Sequence, residues 1–192
     1  MDAIETIEVN GFTVELHHDE NPLNPREEFD NLSTMICFHS RYSLGDKHDC
    51  LSGDFTGWDG LKKQIIREHR PVVILPLFLM DHSGLTISTD PERFRAFDSA
   101  GWDWGQVGFV FVSRANALKE YGKKRISKRI REQAEKVLPA EVETYGEYLG
   151  GAVYGYIVKD ADGEVLDSCW GFFGLDYARR EAEEAAKHEI AS

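Results

Sequence analysis

Residues 152–173 read AVYGYIVKDADGEVLDSCWGFF, two apolar-rich runs flanking Asp160-Ala161-Asp162-Gly163. Asp and Gly supply the backbone freedom and the local hydrogen bonds that a tight reversal needs, so the stretch is a β-hairpin. Residues 4–18, IETIEVNGFTVELHH, repeat the pattern. Asn10 and Gly11 both tolerate positive φ, and Ile4, Val9, Phe12, Val14 and Leu16 give partial alternation. A third hairpin covers 72–89, where VVILPLFL (72–79) turns back into LTIST (85–89). Pro76 removes a ladder donor from that first run and so marks a bulge or a sheet edge. Single strands are expected over 32–39 and 106–112.

Helical periodicity lies between and after the hairpins. Residues 58–69 place Leu61, Ile65 and Ile66 on one side and end before Pro71. Ser113 is a natural cap for a short helix over 114–121. Residues 124–138 carry Ile126, Ile130, Ala134, Val137 and Leu138 at spacings of three and four. Pro139 interrupts that pattern, and 140–149 continue it as a new turn. A last helix over 175–190 has Leu175, Ala178, Ala182, Ala185, Ala186 and Ile190 on its apolar side. Residues 19–31, 40–57 and 90–105 are polar connections, with a short turn after Pro25. The fold class is therefore α+β: a mixed or mainly antiparallel sheet built from hairpins, with helices packed mainly on one side. The 192 residues are read as a single domain.

Charge narrows the function. The chain has 34 acidic and 22 basic residues, for a formal net charge of −12. Residues 114–136 alone sum to +6, whereas 1–34 and 137–192 each sum to −8. An acidic balance opposes direct nucleic-acid binding, which draws its affinity from phosphate neutralisation. It fits a protein partner instead, and a homodimer is compatible with it. The basic run Lys123, Lys124, Arg125, Lys128, Arg129 and Arg131 has two readings: a nucleic-acid patch, or an internal partner for Glu181, Glu183, Glu184 and Glu189. No run is long and apolar enough to span a membrane. The start, MDAIETIEVNG, lacks the basic and apolar regions of a signal peptide. With three cysteines and no pairing pattern, a cytoplasmic setting is expected.

Chemistry-bearing clusters are few. Asp81-His82-Ser83-Gly84 puts three triad residue types side by side, but neighbours on a turn do not point at one another as a relay requires. His82 as a base oriented by the distant Asp103 is the catalytic candidate, in a small hydrolase or transferase. His48 and Cys50, inside Asp46-Lys47-His48-Asp49-Cys50, are the metal candidates, at a spacing that matches no standard ligand set. Glycine-rich phosphate loops, HExxH and the deaminase signature are absent from the sequence, so no cofactor is called for. The string GWDWG at 101–105 holds Trp102 and Trp104 around Asp103 between two glycines. Large rings on a loop make a recognition platform. Trp58, Tyr145 and Tyr148 complete the binding candidates. Cys37 and Cys169, both in strands, are expected to be small core residues.

The strings PVVILPLFLMDHSGLTIST (71–89), GWDWGQVGFVFVS (101–113) and ALKEYG (117–122) resemble an acidic protein family encoded by phages and plasmids. The resemblance implies a mobile-element setting and assigns no functional residue. In that setting, acidic proteins include anti-restriction and anti-CRISPR inhibitors that imitate DNA. The expectation is a non-catalytic accessory protein that binds another protein, an anti-defence inhibitor acting by charge mimicry.

Overall fold

Asn10 and Gly11 both take left-handed backbone, with φ of 55° and 88°, so the turn read from the sequence joins two antiparallel strands. The structure, a computed structural model, describes residues 2–189. In chain order it contains β1 (Glu5–Val9), β2 (Phe12–His18), α1 (Pro25–Glu28), β3 (Thr34–Cys37), α2 (Gly57–His69), β4 (Val73–Asp81) and β5 (Leu85–Ser88). There follow α3 (Glu92–Arg95), β6 (Trp104–Val112), α4 (Arg114–Glu120), α5 (Lys128–Leu149), β7 (Val153–Lys159), β8 (Val165–Phe173) and α6 (Leu175–Glu189). The fold is α+β, and its strands form two four-stranded antiparallel sheets, ordered β1-β2-β7-β8 and β3-β6-β4-β5. The chain forms two compact units: residues up to 24 together with those from 147 onward, and residues 25–146.

In the first unit, the two hairpins read from the sequence pair with each other through β2 and β7, from Thr13 opposite Lys159 to His18 opposite Tyr154. Helix α6 lays Ala178, Ala182 and Ala186 on Val14, Leu16, Tyr156 and Val158. Alanines at that spacing bring a helix close to a sheet without a steric step. Ile190, read as part of the same face, lies outside the described residues. The second turn is held by the Asp160 carboxylate, which accepts from the Asp162 and Glu164 N–H groups at 2.9 and 2.8 Å. Gly155 is required by its neighbour: a Cβ there would stand 2.2 Å from a Trp170 ring carbon. Cys169, expected in the core, is exposed. Its strand is the last in the sheet, so alternation there does not guarantee cover.

In the second unit, Ile36, Phe109 and Phe111 pack against Leu61 and Ile65 of α2. Pro76 sits in the inner strand β4, opposite Phe109 of β6, while β5 pairs only with Phe78–Asp81. Its missing N–H therefore falls where β4 has no second neighbour, next to a register shift at Leu77/Phe78. Helix α2 ends on Arg70 in left-handed conformation, followed by Pro71. Ser113 caps α4 by accepting from the Asn116 N–H at 3.0 Å. Helix α5 starts at Lys128 rather than 124, with Ser127 Oγ accepting from the Ile130 N–H. It also continues through Pro139, which stands on its exposed side. A proline there costs one hydrogen bond, and the buried row Ile130, Ala134, Leu138, Val142 and Tyr145 keeps the helix in place. The 90–105 connection contains the short helix α3, which buries Phe94.

The second unit is tied together by a buried cation. The Arg26 side chain is 1% exposed. It donates to both Asp46 oxygens at 2.8 and 2.7 Å, to Glu141 at 3.2 Å and to the Ser33 carbonyl at 2.9 Å. Glu141 in turn accepts from the Leu32 and Ser33 N–H groups and from the Ser33 hydroxyl. Asp46 accepts from the Met35 N–H. Burial alone would lower the Arg26 pKa, but the Asp46 and Glu141 carboxylates raise it. Replacing Arg26 by Met leaves two carboxylates without their cation. The expected cost is about 3–5 kcal/mol, measured as a lower denaturant midpoint at unchanged slope.

Candidate functional site

The end of the second sheet where β4 turns into β5 collects the polar side chains singled out in the sequence. Asp81 closes β4, and its N–H donates to the Asp103 carbonyl at 2.8 Å. This bond places the 98–104 loop beside the β4–β5 turn. His82 Nδ1 then donates to Asp103 Oδ2 at 2.8 Å. The structure thus brings together the two residues of the catalytic candidate from 21 positions apart. With Nδ1 bonded, Nε2 is the free acceptor of the neutral ring. Both side chains are strongly exposed, 68% for His82 and 44% for Asp103. Among the described residues no hydroxyl or thiol hydrogen-bonds to His82.

Beside the pair, the Asp81 carboxylate accepts from the Arg41 guanidinium and from the Tyr42 hydroxyl. His39 stacks on Tyr42, with centroids 4.9 Å apart. Its Nδ1 accepts the Arg41 and Tyr42 N–H groups at 3.2 and 3.3 Å, which puts the ring proton on Nε2. A cleft of about 320 Å³ lies among His39, Arg41, Asp81, Trp102, Asp103 and Gln106. Sequence reading missed His39, Arg41 and Tyr42 as members of this cluster. They belong to the long 40–57 loop and its approach, and nothing in the spacing links them to residue 81.

GWDWG is a locked turn. Asp98, three residues upstream, accepts N–H groups from Ala100, Gly101, Trp102 and Asp103 at 3.1, 3.1, 2.6 and 2.9 Å. These bonds hold its carboxyl below the ordinary aspartate value, the Asp103 N–H contributing most. The two tryptophans part company. Trp104 is half-buried, donates from Nε1 to the Asp98 carbonyl at 2.8 Å and packs against Phe78 and Phe94. Trp102 is 86% exposed, and nearby Phe97 is 80% exposed. Of the two rings in the string only Trp102 is left exposed, while Trp104 fastens the loop to the core.

The other candidates fall elsewhere. Trp58 is half-buried and meets Phe109 edge-on. Tyr145 is core, not surface: it lies on the buried row of α5, and its hydroxyl accepts from the Gly45 N–H at 2.9 Å. Tyr148 is half-buried, so no Tyr145–Tyr148 patch forms. His48 uses Nε2–H on the Cys37 carbonyl at 3.1 Å. Cys50 packs against the Leu61 cluster, and burial, with the Asp54 and Glu68 carboxylates, raises its pKa, opposing the thiolate a metal needs. No group of three His, Cys, Asp or Glu able to hold a metal occurs among the described residues. Burial pushes the Cys37 thiol up to about 12.

Charge is divided between the units. Residues 1–24 and 147–192 hold 16 acidic and 4 basic residues, a net −12, whereas residues 25–146 hold 18 of each. All four cations of the first unit are already paired within it. Lys159 meets Glu15, Arg179 meets Glu5 and Asp176, Arg180 meets Glu181, and Lys187 meets Glu184. In the second unit, Lys128 pairs with Glu132 and Arg131 donates to the Val72 carbonyl. Glu181 and Glu184 thus find cations on their own helix.

No family model matches the chain, and no curated protein or solved structure shows significant similarity to it.

The lowered Asp98 pKa sets a pH window for the loop. The folded loop favours the ionised carboxyl, so its contribution is complete above the ordinary value of 3.8 and is lost as pH falls through the depressed value. Amide NMR signals of Ala100 and Gly101, which donate to Asp98 and take no part in the His82–Asp103 bond, are expected to stay fixed from neutral pH to 3.8 and to move only below it. Movement at higher pH contradicts the assignment. Asp98→Asn should loosen the loop at neutral pH without lowering the global unfolding midpoint appreciably.

Proposed function

We propose that the protein is a non-catalytic binding protein whose acidic unit engages a cationic partner protein. One observation carries this: the whole net charge of −12 resides in one unit whose four cations are each already paired inside it. A surplus of that size on one small body produces a field that steers a basic surface toward it and selects against acidic ones. Exposure of His82 and Asp103 supports binding over catalysis, because acid–base chemistry gains most where water is excluded. A nucleic-acid-binding defence protein, with its phosphate-binding surface, is a partner of the right charge. That surface is what the mobile-element reading calls for.

The test measures affinity of the whole chain for a panel of basic nucleic-acid-binding proteins as salt is varied. Binding should weaken steeply with salt. Replacing the exposed Glu20, Asp162 and Glu164 by Lys should weaken it by about tenfold or more. The same number of reversals at Glu28, Glu120 and Glu135 of the second unit should change it little. Equal losses from both sets, or binding indifferent to salt, defeat the proposal.

A second reading, an acid–base enzyme, has the His82–Asp103 bond in its favour. Turnover of an ester or phosphoester that His82→Ala abolishes would establish it, and a panel without turnover removes it.

A further inference from the structure

The neutral second unit hides a strongly uneven local charge. Where α4 gives way to α5, a cavity of about 410 Å³ is lined by Tyr121, Lys123, Arg125, Ser127, Arg129 and Ile130. Three of these are cations and none is a carboxylate. Among the described residues, Lys123, Arg125 and Arg129 have no ion-pair partner, in contrast to the four cations of the first unit. The arrangement comes from the late start of α5. Residues 123–127 are not helical, so Lys123 and Arg125 converge with Arg129 of the first turn instead of spiralling away from it.

We propose that this cavity is a binding site for the phosphate group of a small phosphomonoester. Like-charged side chains around one hollow repel one another and gain from an anion placed between them. Two guanidiniums offer paired N–H groups that match phosphate oxygens, and Lys123 adds a mobile charge. The Ser127 and Tyr121 hydroxyls are further donors at the wall. Ile130 is buried and Tyr121 half-buried. They give the cavity an apolar side that suits the organic part of the ligand rather than a bare ion. Its volume lies within the usual range for small-ligand pockets, about 300–1,000 Å³. A long nucleic acid is the weaker occupant, since a chain of net charge −12 repels an extended polyanion while a local cationic hollow still attracts a compact one. The site does not depend on the acidic-unit reading, for it draws on none of the residues of that unit.

The test titrates the full chain, at low ionic strength and pH 7.5, with inorganic phosphate, glucose 6-phosphate, glucose and a single-stranded oligonucleotide, followed by amide NMR. Phosphate and glucose 6-phosphate should give saturable shifts confined to about residues 121–133, the sugar phosphate binding more tightly, and glucose should give none. Arg125→Ala and Arg129→Ala should each lower affinity about tenfold. Both side chains are exposed, and an unchanged melting temperature confirms that folding is intact. Lys62→Ala, a cation outside the cavity, should leave affinity unchanged. The proposal falls if no saturable shift occurs, if shifts spread over all basic residues, or if the Arg125/Arg129 double variant binds as before. Tighter binding of the oligonucleotide than of glucose 6-phosphate through the same residues overturns the small-ligand assignment. Because no residue of the acidic unit is involved, a negative result here leaves the cationic-partner proposal standing, and the reverse also holds.

Discussion

The buried guanidinium of Arg26 is the interaction on which the second unit most depends. A charge that is almost wholly withdrawn from water survives only with partners for its donors. Arg26 has two carboxylates and a carbonyl. Those carboxylates come from the polar 40–57 loop and from α5, and they also satisfy the N–H groups of Leu32, Ser33 and Met35. One cation therefore fixes the approach to β3, the start of the long loop and the flank of α5 at once. The Tyr145 hydroxyl adds a second tie from α5 to that loop through the Gly45 N–H. Arg41 and Tyr42 meet Asp81 from the first residues of that loop, just before the clamped Gly45 and Asp46.

The same economy runs through the loop that carries Trp102. Asp98 gathers four N–H groups on one carboxylate, and Trp104 secures the loop to Phe78 and Phe94. A large aromatic side chain can stand in water at little conformational cost when its backbone is already ordered. The first unit works differently. Its core is one alanine-faced helix on a sheet of paired hairpins, and its ion pairs consume every cation it has. What remains outside is a surplus of carboxylates. The two units thus present different chemistry: one presents charge, the other presents ordered polar and aromatic loops.

Much of the fold was legible because it is local. The Asn10-Gly11 and Asp160–Gly163 turns, the Ser113 cap and the Arg70-Pro71 stop each depend on residues within four positions of one another. The start of α5 and the course through Pro139 were not legible in this way. Position 124 fits the helical period, but no cap stands before it, whereas Ser127 caps Ile130. Proline at 139 ends an isolated helix, yet it is tolerated on the exposed side of one whose buried row packs on both sides of it. Tyr145, a binding candidate by residue type, is buried. Its spacing of three from Val142 and seven from Leu138 places it on the buried row.

The sequence by itself determined the hairpins, the alternation that makes them antiparallel, the total charge of −12 and the residue types available for chemistry. Each of these follows from backbone preference or from composition. Only the tertiary structure decided that the strands divide into two sheets, because β2 pairs with β7 and β3 with β6 across long stretches of chain that leave no periodic trace. It also decided that the acidic ends share one unit, that Asp103 meets His82, and that Lys123, Arg125 and Arg129 surround one hollow. Charges and hydrogen-bonding groups act over a few ångströms of space, and their separation along the chain does not fix that distance.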